Sequence, residues 1–150
     1  AVVAAVKAAE AAGVQVVAIS TLGHKCDAAF MAMHEDWVQL RTFQSGVQRA
    51  GLEVVDSYVS LTEVSEYAKG MPEEMLKGRL YPDIPPKSHH MPAWCFYPMS
   101  KKREGDTNWF TLPFDDRKAL MHEHGTSGRK FAGRIVQYVT GSAGSRWRVE

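Results

Sequence analysis

Val14-Gln15-Val16-Val17-Ala18-Ile19-Ser20 is a short run rich in β-branched residues, and its neighbours on either side decide the fold. β-Branched side chains suit a pleated strand better than a helix, so the run predicts a strand. Upstream, Ala1–Ala12 is alanine-rich and free of breakers, and Gly13 follows as a natural stop, which predicts a helix. Downstream, Cys26–Met33 is apolar without a clear period, and its length favours a strand. His34–Arg49 sets Leu40, Phe43 and Val47 on one face and ends at Gly51, a second helix. Leu52–Leu61 is strand-like again.

The resulting order, helix-strand-strand-helix-strand, is a ferredoxin-like βαββαβ unit without its first strand. Thr62 to His90 then carries four of the seven prolines and reads as a long connection. A second pattern follows: strand Ala93–Lys101, helix Pro113–His124, strand Phe131–Thr140. This is the opening half of another such unit, and a half-built sheet would expose an unpaired edge. The expected fold is therefore α+β, a tandem of ferredoxin-like repeats of the dimeric α+β barrel type, truncated at both ends. Residues 1–61 form the first repeat, 62–92 the connecting segment, and 93–150 the first half of the second repeat.

The chain has 150 residues, 45% hydrophobic and 23% charged, the profile of a globular domain able to bury a core without disulfides. A formal charge of +1 gives no reason to invoke nucleic acid. Lys101, Lys102 and Arg103 cluster, as do Arg129, Lys130 and Arg134; the plain reading of both is a solvated surface. Cys26 and Cys95 lie in apolar runs without metal-binding spacing, and they are expected to be buried, reduced thiols of a cytoplasmic protein. The longest apolar stretch, Ala1 to Ser20, is interrupted by Lys7, Glu10 and Gln15, so no membrane span is expected. No signal-peptide pattern is visible.

Three elements could carry chemistry. In Trp94–Lys101, strand alternation points Tyr97, Met99 and Lys101 the same way. Such a face suits a cavity that is apolar in depth and anion-seeking at its rim, or equally an edge strand with a snorkelling lysine. The next helix begins at Pro113 with Asp115 and Asp116 in its first turn, and Gly125 is read as its end. Arg117, Leu120, Met121 and His124 share one stripe, so His124 is either a packing or capping residue or a metal ligand. His122 points elsewhere and is expected to be exposed. In the last strand, Phe131, Gly133, Ile135, Gln137 and Val139 share a face. Gln137 is then a polar group aimed at an apolar surface, or a side chain facing solvent at a sheet end.

Taken together, several motifs resemble the peroxide-dependent coproheme decarboxylases of the chlorite dismutase-like superfamily. They are Phe96-Tyr97-Pro98-Met99-Ser100-Lys101-Lys102-Arg103, Asn108-Trp109-Phe110, Glu123-His124-Gly125, Gly128-Arg129-Lys130-Phe131-Ala132-Gly133, Gln137 and Thr140-Gly141-Ser142. Arg79-Leu80-Tyr81-Pro82 resembles the segment that enters the heme pocket in that family. The likeness is dense from Arg79 to Gly144 and diffuse before it. Phe110 stands where many relatives carry tyrosine, the Pro85–Pro92 connection with His89 and His90 is longer than theirs, and Ser145–Glu150 departs from their continuation.

The resemblance implies two ferredoxin-like repeats in an α+β barrel, in a ring of five subunits. It implies coproheme III as both substrate and iron cofactor, hydrogen peroxide as co-substrate and heme b as product. By the same likeness His124 is the proximal ligand of the heme iron and Tyr97 the redox-active catalytic tyrosine. Arg79 and Lys101 pair with propionates, Met99 lines the pocket, and Gln137 sits on the distal side, where chlorite dismutases place an arginine. Four propionates call for cations able to pair with carboxylates. Chlorite dismutase is the rival within the enzyme class, and a non-catalytic heme-binding module is the rival outside it.

Overall fold

Both amino-terminal helices end by the same device. In the computed structural model, which describes residues 1–23, 25–68, 70–84, 91–106 and 108–142, helix α1 spans Val2–Ala11 and helix α2 Trp37–Arg49. After α1, Gly13 adopts φ +87°, its N–H reaches Glu10 O at 3.0 Å, and the Val14 N–H reaches Ala9 O at 3.0 Å. After α2, Gly51 adopts φ +98°, its N–H reaches Gln48 O at 3.0 Å, and the Leu52 N–H reaches Val47 O at 3.2 Å. Glycine takes this left-handed conformation without steric cost, and the paired bonds satisfy carbonyls that the helix leaves open. The device also turns the chain inward, because Ala9, Val14 and Val47 all join the core.

Helix α2 begins three residues later than expected, since the Asp36 carboxylate accepts from Val38 N at 2.8 Å and caps it. The intervening strands, β1 (Gln15–Ser20) and β2 (Ala28–Met33), pair antiparallel with Val16 opposite Ala32 and Ala18 opposite Phe30. That register turns Val16, Phe30 and Ala32 toward the helices. Ala9, Val14, Phe43 and Val47 are the buried residues of this core, and the Phe30 and Phe43 rings meet edge to face at 5.8 Å. A side chain at Gly46 would bring its Cβ within 3.4 Å of Ala5 Cβ, so small residues set the spacing of α1 and α2.

Beyond α2 the chain departs from expectation in five places. Leu52–Leu61 forms a ladder only in β3 (Ser60–Thr62), which pairs antiparallel with β4 (Thr140–Ser142). The connection after it holds helix α3 (Glu73–Leu80), with Glu73 and Glu74 in its first turn and Lys77 and Arg79 in its last. Charges so placed complement the helix dipole, and Glu73 pairs with Lys77 at 3.0 Å. Its few apolar residues hide this helix from periodicity. Ala93–Lys101 is not a strand: it joins no ladder among the described residues, and Pro92 and Pro98 each lack the N–H a ladder needs.

Helix α4 runs Phe114–Arg129, straight through Gly125, which has no positive φ and so ends nothing. Phe131–Thr140 is likewise not one strand. Its start folds into turns, with the Arg134 and Ile135 N–H groups reaching Phe131 O at 3.0 and 3.1 Å and Gly133 at φ +78°. Phe131 and Gly133 therefore do not share a strand face with Gln137. Among the described residues the architecture is a mixed α/β one with two small antiparallel sheets. Cys95 is exposed and Cys26 half-buried, against the expectation that both are buried. Among the described residues, no helix is long and apolar enough to cross a membrane.

Phe43 is 6% exposed at the centre of the core, so Phe43→Ala should cost about 3–5 kcal/mol. Asp36→Ala, which removes only a cap, should cost about 1 kcal/mol. Urea midpoints of the two variants in the whole protein should keep that order, and equal losses would show that this cluster is not the core that holds the fold.

Candidate functional site

Gln15 starts β1 and points away from the helices, and its carboxamide is used at both ends. Its Nε2 donates to Pro82 O at 3.0 Å, and its Oε1 accepts from Ile84 N at 2.7 Å. Ile84, 5% exposed, is buried beside it. The segment that follows α3 is thus fastened to the amino-terminal half. Two further bonds fasten it on the other side: Thr62 Oγ1 donates to Leu80 O at 2.7 Å, and the Tyr138 hydroxyl donates to Asp83 O at 2.7 Å. Burial raises the Tyr138 pKa, and the Asp83 carboxylate raises it further.

Between these ties lies a cleft of about 660 Å³, lined among others by Thr62, Glu63, Gly78, Arg79, Gln137 and Val139. Its volume falls within the range of about 300–1,000 Å³ usual for small-molecule and cofactor sites. The fold thus brings together Arg79 from the last turn of α3 and Gln137 from the segment leading into β4. Both side chains are exposed, so Gln137 is not the buried amide that one strand face would have made it.

Residues 94–101 belong to no helix or ladder, and Trp94 reaches Tyr138 in the wall of this cleft. Trp94 stacks on Tyr138, with centroids 6.5 Å apart, and Phe96 meets Tyr58 edge to face at 5.2 Å. Tyr97 and Met99 are 62% and 77% exposed. They offer a phenol and a thioether to whatever lies against them. Lys101 Nζ rests 4.3 Å from the centroid of the Trp109 ring, and the Arg103 guanidinium lies 4.1 Å from that of Phe110. Cation–aromatic attraction holds both charges against the 3-10 turn Trp109–Thr111. Backbone contacts fix that turn: Trp109 N donates to Lys102 O at 3.0 Å, and Asn108 Oδ1 accepts from Phe110 N at 2.9 Å. Trp109 and Phe110 as supports of the basic run escaped the sequence reading. The signal available was two aromatics following three cations across a loop.

His124 stands on α4, outside the lining of the cleft, and its imidazole is exposed, as is that of His122. The stripe it shares does not face a core, because α4 buries none of its residues and Leu120 is 48% exposed. The helix is fastened at its first turn instead. Arg117 Nη1 lies 2.9 Å from Glu66 Oε1, and the Phe114 ring stacks on Tyr67 at 5.5 Å. Among the described residues no three His, Cys, Asp or Glu side chains gather as a metal-binding group. His89 and His90, and the continuation Ser145–Glu150, lie outside the described residues.

A family model described as chlorite dismutase matches residues 1–146. The chain is also 36% identical over 134 residues to the coproheme decarboxylase of Staphylococcus carnosus (strain TM300), an alignment covering 81% of this chain and 51% of that protein. The chain therefore spans about half the length of the curated relative it matches. Since the family match runs through every helix and sheet of the described residues, the chain belongs to the chlorite dismutase family.

Proposed function

We propose that the protein to which this chain belongs is a coproheme decarboxylase. It converts two propionates of coproheme III to vinyl groups with hydrogen peroxide and releases heme b. The observation that carries the reading is the chain's kinship with a relative bearing that name. Each round takes two electrons and one proton from one propionate side chain, and a second proton comes from solvent. The carbon–carbon bond to the carboxylate breaks, carbon dioxide leaves, the vinyl double bond forms, and one peroxide is reduced to two waters.

The chemistry of the available side chains fits this ligand. A porphyrin brings four nitrogen donors of its own, so its iron would ask the protein for one donor side chain rather than a chelating cluster. An exposed histidine on a helix supplies that, and we assign His124 as the iron ligand. Bound coproheme would supply the redox-active iron on which peroxide acts. The chain's own residues do the rest. Arg79 and Lys101 pair with propionates, and Trp109 holds the Lys101 ammonium ready for a carboxylate. Tyr97 carries a hydrogen atom or electron away from the reacting side chain through its O–H. Met99 supplies apolar surface next to it, and Gln137 faces the distal side of the tetrapyrrole.

Gln137 also separates this reading from chlorite dismutase, where the resemblance expects an arginine at that position. Chlorite-driven oxygen release without vinyl formation would reverse the choice, and heme binding without either reaction would leave a non-catalytic module. We read residues 1–61 as part of a first ferredoxin-like repeat, 62–92 as a connection that carries Arg79, and 93–150 as part of a second repeat with the heme site. The expected assembly is a ring of five subunits, and the expected compartment is the cytoplasm.

Two measurements test these roles in the full-length protein. Tyr97→Phe keeps the ring and nearly all its volume, so coproheme binding should persist while peroxide-driven decarboxylation is lost. Chromatography of coproheme, the singly decarboxylated product and heme b after stepwise peroxide addition reads this out, and conversion near the parent rate would make Tyr97 a wall residue. Neutralising Arg79 or Lys101 should weaken coproheme, with four propionates, more than heme b, with two. Each lost charge-assisted bond should cost about 1.5–3 kcal/mol. Equal weakening of both tetrapyrroles would count against the propionate roles.

A further inference from the structure

Helix α4 buries none of its residues, yet a side chain that ligates iron must be held to within a fraction of an ångström. What holds α4 therefore bears on His124. The ties described above reach it at its first turn. Glu66 and Arg117 form an ion pair at 2.9 Å, with side chains 51% and 20% exposed. Tyr67, the residue after Glu66, stacks on Phe114 at an interplanar angle of 23°. The Arg117 guanidinium lies 5.7 Å from the Phe114 centroid, so the four side chains form one cluster.

The Tyr67 hydroxyl oxygen and Arg117 Nε both lie buried within that cluster. The Tyr67 pKa is raised, first by withdrawal from water and then by the Glu66 carboxylate, while Arg117 opposes the shift. Half-exposed ion pairs contribute little to stability, so the consequence of this one is geometric. Arg117 and His124 are seven residues apart, two turns along one face, about 10 Å at 1.5 Å per residue. Over that lever, a tilt of about 6° at the first turn displaces the imidazole by about 1 Å.

We propose that Glu66 and Arg117, with the Tyr67–Phe114 stack beside them, form a clamp that sets the position of His124 against the iron. Glu66 and Arg117 are thus positioning residues. The proposal rests on His124 being the iron ligand. No other contact between residues 62–72 and the heme is required, because the effect passes through the helix.

Ferric coproheme and iron-free coproporphyrin III carry the same four propionates, but only the first can be ligated by His124. Titrating the full-length protein with each separates ligation from propionate binding. Glu66→Gln should weaken ferric coproheme about tenfold, the lower end of what loss of a ligand-orienting group costs. It should also shift the iron–histidine Raman band of the ferrous complex, leave coproporphyrin binding unchanged, and move Tm little. Glu66→Arg combined with Arg117→Glu should restore most of the lost affinity. Parallel loss for both tetrapyrroles, or loss for neither, overturns the clamp. His124→Ala keeps the two ideas apart. If it weakens ferric coproheme selectively while Glu66→Gln does not, the clamp alone fails; if it has no selective effect, the ligand assignment fails and the clamp with it.

Discussion

The Gln15 carboxamide is the joint between the two halves of this chain. Its oxygen and its nitrogen are both committed to backbone groups of the segment after α3, one to each side of Asp83. A backbone N–H or C=O that loses its partner in a half-buried place costs free energy, so the two bonds stand or fall together. Everything that shapes the cleft is fixed relative to that segment. Arg79 precedes it, Thr62 bonds to the carbonyl of Leu80, and Tyr138, next to Gln137, bonds to the carbonyl of Asp83. A polar side chain on β1 thus determines how residues from three distant parts of the sequence meet.

What the sequence disclosed and what it withheld divide along a physical line. The helix ends at Gly13 and Gly51 were legible because local carbonyls and a core contact decide them. Gly125 looked alike and behaves otherwise, since glycine permits a left-handed turn without requiring one. The tails of the predicted strands failed for a similar reason. Alternation in 94–101 survives in the ring contacts of Trp94 and Phe96, but a ladder also needs a partner strand and free N–H groups, and the prolines remove some of those.

Of the candidate site residues, Arg79 and Gln137 were chosen separately, and the fold sets them in one cleft. The supports around the site were not legible. Glu66 and Arg117 are 51 positions apart, and no local pattern announces such a pairing. The same holds for Lys101 on Trp109, where each motif was visible but their contact was not.

The spacing of contacts along the chain also sets an order of assembly. In the amino-terminal half, three residues join α1 to β1, and β1 pairs with the very next strand. Such closures cost little chain entropy and form early. The β3–β4 ladder must bring Thr62 to Thr140, and the cleft exists only once it has. Closure over that separation costs more chain entropy, so the cleft is expected to form after the amino-terminal core. A ligand that occupies the cleft would draw its binding energy into that region and tighten it. Under the proposed function that ligand is a tetrapyrrole, and its binding would protect this half from proteolysis as well.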